Sequence, residues 1–350
     1  MTSTATGAFV ARGTRVFAVK GTSSVPIGGG TDAGKLDIIC FAPGESAFQG
    51  DYSRLFIACQ RQGIAGADDV GNGSSCAREC LAVTRGPDNR IFLPMSDARL
   101  TSLAVDSSLP HRTIAVRARR GKNPGLFWLG GFKSDMKGTK AEALDRWAEK
   151  EGRACVRFDY SGHGESGGVF TDGTIGRWLE ESLAIYIRFA QGPQVLIGSS
   201  MGGWLALLLV HALSQRDGAA PVVGMVLIAP AVDFTEELMW KQFPDATRHE
   251  VEQKGLWMRP SAYGEEPYPI TRALIEDGRK HLLLGGLIET GCPVHILQGV
   301  EDPDVPWRHA VELVSRFSRD DVVLTLIKDG DHRLSRQEDI ERLFAAVKEF

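Results

Sequence analysis

Apolar and polar positions follow two regimes along these 350 residues. From residue 111 onward, short apolar runs alternate with stretches of helical period. Segments 112–117, 125–129, 154–158, 195–197, 222–228, 294–297 and 322–327 read as strands. Segments 139–151, 175–189, 202–213, 310–317 and 340–347 read as helices. Strands alternating with helices of about a dozen residues predict a mostly parallel sheet with helices on both faces. Sites in such sheets lie at the carboxyl ends of the strands. Between about 232 and 284 the alternation lapses into a mainly helical, aromatic stretch. An insertion there is expected to cap the site, with Trp240 and Trp257 as pocket residues.

Residues 1–110 are different. Their periodicity is weak, and all seven Trp and all eight His lie at 111 or later. We place a boundary near Leu109-Pro110 and expect a poorly patterned extension before it, disordered or not native, because weak patterning cannot repay ordering entropy. The domain that follows is 111–350. A small β-rich unit using 15–20, 36–41 and 90–93 is an alternative reading of the extension. A transit segment is another, since residues 1–31 carry Arg12, Arg15 and Lys20, many Ser and Thr, and no acid. Two motifs here are decoys. Gly29 to Lys35 has P-loop spacing, but Leu36 stands where Ser or Thr would hold Mg²⁺. Cys76 and Cys80 have no His in the segment to complete a zinc site.

The chemistry begins at 195–197. That strand runs directly into Gly198-Ser199-Ser200-Met201-Gly202, and a helical pattern starts behind it. Strand, Gly-x-Ser-x-Gly and helix in that order form a nucleophile elbow, a turn so sharp that its Ser stands out above the sheet. Gly198 and Gly202 are expected where a Cβ would meet the crossing backbone. A second match, Gly164-Glu165-Ser166-Gly167-Gly168, has loop chemistry on both sides and is set aside.

A Ser hydroxyl needs a base, and the base needs an orienting carboxylate. With the elbow, the chain order is Ser, acid, His. Asp302 follows the 294–297 strand and His332 follows the last strand, so Ser200, Asp302 and His332 are the expected triad. His163 is expected in a supporting position at best, His295 in the core and His309 on a surface helix. The oxyanion donors are expected to be the backbone N–H groups of Met201, just after the nucleophile, and of Phe132, after Gly130-Gly131. The elbow is that of an α/β-hydrolase fold, expected here with a helical cap, and the triad is that of a serine hydrolase working through an acyl-enzyme. A peptidase or C–C bond hydrolase on the same triad is the alternative within catalysis. A non-catalytic ligand-binding receptor is the alternative outside it.

Composition narrows the rest. A net charge of −4 offers no electrostatic case for nucleic acid. No apolar run approaches the roughly 18 residues of a membrane span. Six cysteines in 350 residues do not make a disulfide framework. No cofactor and no metal are expected, the substrate is expected to be a small molecule or a lipid-acyl compound, with an acylated protein as a further candidate, and the location is expected to be cytoplasmic, or mitochondrial if 1–31 are a transit segment.

Several segments go beyond the generic fold. They are Gly138-Thr139-Lys140-Ala141, Arg157-Phe158-Asp159-Tyr160-Ser161-Gly162, Gly192-Pro193-Gln194, Gly198 to Trp204, Lys254-Gly255-Leu256-Trp257, Val305-Pro306-Trp307 and Asp331-His332-Arg333. The chain from Gly125 onward resembles, through these, the acyl-protein thioesterases of the mitochondrial depalmitoylase type, also described as mycophenolic acid acyl-glucuronide esterases. The resemblance implies hydrolysis of acyl thioesters and esters on Ser200, Asp302 and His332. Residues 1–110 have no counterpart in it.

Overall fold

The computed structural model describes residues 112–260 and 266–350 throughout, and upstream only the strands 22–26, 35–39, 84–85, 91–92 and 99–103. Two compact units result, Met1–Glu79 and Cys80–Phe350. In the first, Thr22–Pro26 pairs antiparallel with Lys35–Ile39. Segment 15–20, all of the Gly29–Lys35 stretch except Lys35, and the Cys76/Cys80 pair lie outside the described residues, as does most of the stretch read as a transit segment.

The second unit holds an eight-stranded sheet. Its strands in chain order are β1 (Arg99–Leu103), β2 (Arg112–Arg119), β3 (Lys122–Leu129), β4 (Arg153–Phe158), β5 (Gln194–Ser199), β6 (Val222–Ile228), β7 (Val294–Gly299) and β8 (Val322–Ile327). Across the sheet they lie β8-β7-β6-β5-β3-β4-β2-β1. β3 to β8 are mutually parallel, and β2 and β1 are antiparallel additions at one edge. The sheet thus begins at Arg99, upstream of the boundary expected at Leu109-Pro110.

All six residues of β5 are buried. That is expected of a central parallel strand covered on both faces, which must read as a continuous apolar run. One face carries α2 (Ile175–Phe189) and α3 (Met201–Ser214), the other α1 (Thr139–Glu151) and α7 (Gln337–Val347). The exposed-side helix α1 ends in Gly152 at φ 69°, a left-handed cap that returns the chain to β4. α3 is buried almost all round, with Trp204, Leu205 and Leu209 wholly inaccessible. It lies between the sheet and the insertion, and the Trp204 indole donates to the His281 carbonyl across that boundary at 3.1 Å.

The insertion after β6 starts and finishes at one place. The Asp233 carboxylate accepts the Leu283 and Leu284 N–H groups at 2.9 and 2.8 Å. Burial raises the pKa of Asp233, and those backbone donors oppose the shift. Within the insertion stand a π-turn (Thr235–Met239), α4 (Asp245–Lys254), a two-stranded hairpin (Leu256–Arg259 with Tyr268–Thr271) and α5 (Arg272–Gly278). The hairpin is a β element in a segment whose pattern reads as mainly helical.

Candidate active site

Ser200 sits between the last residue of β5 and the first of α3, with φ 55° and ψ −120°. A left-handed φ is costly for any residue with a Cβ and needs surrounding structure to enforce it. Here the Ser200 N–H donates to the Ile228 carbonyl at 2.8 Å, and the Ser200 carbonyl accepts from Gly203 and Ala231. Glycine is required on both sides. A Cβ on Gly198 would lie 2.3 Å from the Gly202 carbonyl oxygen, and one on Gly202 2.1 Å from that of Leu129. Only bare backbone lets the strand and helix cross this closely.

His332 follows β8 and reaches back over the elbow. Its Nε2 lies 3.0 Å from Ser200 Oγ and its Nδ1 2.8 Å from Asp302 Oδ2. Asp302 is buried at the end of β7. Its Oδ1 accepts the Asp304 and Val305 N–H groups, and its Oδ2 also accepts from Gln298 Nε2 at 3.2 Å. The structure thus brings Ser200, His332 and Asp302 into one hydrogen-bonded line. The neighbouring acids do other things. Asp331 accepts the Leu334 N–H, and Asp304 lines the cavity over Ser200. Donor atoms of Asp302, Asp304 and His332 lie within 4.8 Å of one another, a spacing that a cation could bridge. Both Asp302 oxygens and both His332 nitrogens already have protein partners, so this set is poorly suited to a resident metal.

Gly131 presses against the nucleophile. A Cβ there would be 3.3 Å from Ser200 Cβ and from the Ser199 carbonyl oxygen. Phe132 follows it, and Met201 opens α3. Neither backbone N–H has an acceptor among the described residues, and the one on Met201 is a helix-terminal orphan.

The cavity above these groups has a volume of about 720 Å³. One wall is apolar. Phe132 meets Phe234 at 5.7 Å and Tyr268 at 5.9 Å, ring to ring, and Leu238 and Met239 from the π-turn complete it. The other wall is polar, with Ser134, Thr139, Lys140, Arg333 and Ser335. Lys140 donates to the Arg333 carbonyl, and burial lowers its pKa to about 8. Trp240 and Trp257 are not in either wall, which corrects the expected pocket. Both rings pack on Phe243, at 6.5 and 5.1 Å, and so serve the insertion's own core. The Arg279 guanidinium covers the Trp240 ring at 4.9 Å.

The remaining histidines separate by their partners. His295 is held between Glu349 and Thr325, both at 2.8 Å. His309 is not on the surface. Its helix starts at Trp307, which turns the ring inward to donate to the Val232 carbonyl at 2.9 Å. Burial lowers its pKa. Gln298 is the supporting residue that sequence reasoning missed. Its signal in the sequence is an amide at the end of a mainly apolar strand, just before the acid, and in the structure that amide is wholly buried.

The alpha/beta hydrolase family profile matches residues 124–346. The mitochondrial palmitoyl-protein thioesterase ABHD10 of Bos taurus is 38% identical over 248 residues, covering 71% of this chain and 79% of the relative. A solved putative hydrolase from Agrobacterium vitis S4 is 49% identical with a TM-score of 0.70, over 73% of this chain and 99% of that one. Mouse alpha/beta hydrolase domain-containing protein 10 is 36% identical with a TM-score of 0.63, over 72% of this chain and 97% of that one. The curated relatives are mitochondrial by name, which overturns the expected cytoplasmic location. The cytoplasmic expectation rested on missing spans and disulfides, features that do not separate one reducing aqueous compartment from another. The chain belongs to the alpha/beta hydrolase family and, within it, to the group of the ABHD10 acyl-protein thioesterases, and it is a serine hydrolase of esterase and thioesterase type.

Proposed function

We propose that this chain hydrolyses acyl thioesters and esters with Ser200 as nucleophile, His332 as general base and acid, and Asp302 as the carboxylate that orients His332. The observation that carries the proposal is the continuous line Asp302–His332–Ser200, at 2.8 and 3.0 Å, ending on a Ser with a left-handed φ. Ser200 Oγ attacks the acyl carbon while its proton passes to His332 Nε2. The carbonyl electrons move onto oxygen, which the Phe132 and Met201 N–H groups receive. Asp302 stabilises the imidazolium without taking its proton. Collapse breaks the bond to the leaving thiolate or alkoxide, and His332 returns the proton to it. Water then repeats the sequence on the acyl-enzyme.

The apolar wall of Phe132, Phe234, Leu238, Met239 and Tyr268 suits the acyl chain. The polar wall suits the leaving group. Thioesters are the favoured class by kinship with relatives named as palmitoyl-protein thioesterases, and an acylated protein is the corresponding larger substrate. The test is a panel of p-nitrophenyl esters and S-acyl cysteine thioesters of rising chain length. Thioester turnover that rises with chain length supports the reading. Activity on neither class at any chain length contradicts it.

A further inference from the structure

Residues 159–168, the loop after β4, contain the Gly-x-Ser-x-Gly match that does not form an elbow. His163 lies in this loop, 5% exposed. Its ring is enclosed by Tyr160, Phe170 and Trp178, with centroids 5.6, 5.1 and 5.2 Å away. Both ring nitrogens have backbone partners. Nδ1 lies 3.2 Å from the Ser161 carbonyl oxygen, and Nε2 lies 3.2 Å from the Lys133 backbone nitrogen. A carbonyl can only accept and an amide N–H can only donate. The ring is therefore neutral, with its proton on Nδ1 and its lone pair on Nε2. Burial lowers its pKa to about 4, with a smaller effect in the same direction from the Lys133 ammonium.

Lys133 is the residue after Phe132 and has φ 57°. A Lys holds that conformation only when its neighbourhood enforces it. The Ser134 N–H also closes back on the Gly131 carbonyl at 3.2 Å. Phe132 itself is held through its ring, which meets Phe170 at 5.0 Å and Trp178 at 6.0 Å, two of the three rings around His163. The same loop pins the far end of this segment, where Asp159 accepts the Met136 N–H at 2.6 Å. The Phe132 N–H, one of the two expected oxyanion donors, stands at the start of this anchored segment.

We propose that His163 is a positioning residue for the oxyanion hole: its Nε2 lone pair holds the Lys133 N–H, fixes the left-handed turn, and so keeps the Phe132 N–H aimed at the developing oxyanion. This rests on the assignment of Ser200 and Phe132 under Proposed function. Without the acceptor, the Lys133 N–H loses the partner that ties this turn to the buried His163 ring, and the turn relaxes toward negative φ, one residue from the donor. Ground-state substrate barely uses that donor, whereas the tetrahedral intermediate depends on it. The effect therefore falls on kcat and not on KM.

The experiment compares the full chain with His163→Phe, which fills the aromatic cage but cannot accept, and with His163→Gln, whose carbonyl oxygen can. Turnover of p-nitrophenyl butyrate, inhibition by a matched trifluoromethyl ketone and thermal melting are measured on each. His163→Phe is expected to lower kcat by roughly 10- to 100-fold, short of the full loss of an oxyanion donor, with KM changed less than about threefold. Affinity for the ketone, which forms a tetrahedral adduct, should fall in proportion, and His163→Gln should recover most of both. A folded His163→Phe with kcat and ketone affinity within about twofold of wild type overturns the proposal, as does a folded His163→Gln as slow as His163→Phe. If the variants do not fold, ¹⁵N-histidine spectra of the wild type decide. A neutral Nδ1–H ring at His163 between pH 5.5 and 8 supports the proposal, and an Nε2–H or titrating ring refutes it. Ser200→Ala in parallel separates the two readings: activity surviving in that variant sinks the triad itself, whereas a dead Ser200→Ala beside a folded His163→Phe of wild-type kcat sinks only the role of His163.

Discussion

Two stretches of this chain spell Gly-x-Ser-x-Gly and meet opposite fates. At Gly198–Gly202 a buried strand ends, a helix begins, and Ser200 is held at φ 55° with its Oγ facing His332. At Gly164–Gly168 there is neither strand nor helix, and Ser166 is consumed structurally. Its Oγ donates to the Asp159 carbonyl at 2.6 Å and accepts the Ala115 N–H at 2.8 Å. The motif supplies only small residues around a hydroxyl, while the flanking elements decide whether that hydroxyl is presented or used as a pin. The second loop is not idle. It carries the Asp159 and His163 contacts to the segment 131–136, so the decoy supports the donor side of the site that the elbow serves.

The largest effects are expected at Ser200 and the residues hydrogen-bonded in line with it. Ser200→Ala should cut turnover on the order of 10⁴-fold or more, as loss of the nucleophile does in other triads, with melting little changed. Asp302→Asn should keep the fold, checked by circular dichroism, and lower kcat by roughly 10²- to 10⁴-fold, since an amide cannot stabilise the imidazolium. Asp304→Asn and Asp331→Asn should cost far less, because the His332 Nδ1 partner is Asp302 and Asp331 accepts the Leu334 N–H. Narrowing the apolar wall with Leu238→Phe should reduce kcat/KM for long acyl chains by about 10-fold relative to short ones, whereas Trp257→Phe should leave the chain-length profile unchanged. Equal shifts from both would restore the tryptophan to the pocket. The smallest effect is expected at the decoy. Ser166→Ala removes two hydrogen bonds and should lower stability by about 1–2 kcal/mol in urea unfolding, with turnover within a few-fold of wild type.

How much was legible in the sequence follows from where period and direction coincide. Thr139–Glu151 and Ile175–Phe189 carry a clean apolar stripe and occupy the residues that the pattern predicts. The elbow was legible because strand, Gly-x-Ser-x-Gly and helix stand in immediate succession. Asp302 and His332 were legible because the loops at strand ends are few and the chain order is fixed. The insertion was not legible in the same way. The π-turn over Thr235–Met239 breaks the helical period, so no stripe says which residues face inward, and the prominence of Trp240 and Trp257 carries no direction. Arg99–Leu103 escaped because five residues with two leucines make a weak strand pattern and its pairing comes wholly from β2. His309 was expected on a surface helix, but it shares the buried stripe of that helix with Ala310 and Leu313, a stripe that one small and one larger apolar position mark only weakly.

The central claim is that Ser200, and not Ser166, is the presented nucleophile. Its most direct test is covalent labelling with a fluorophosphonate, followed by peptide mapping by mass spectrometry on wild type, Ser200→Ala and Ser166→Ala. The account predicts one adduct per chain on the peptide that contains Ser200, retained in Ser166→Ala and lost in Ser200→Ala. An adduct on Ser166, or labelling that survives in Ser200→Ala, would contradict it.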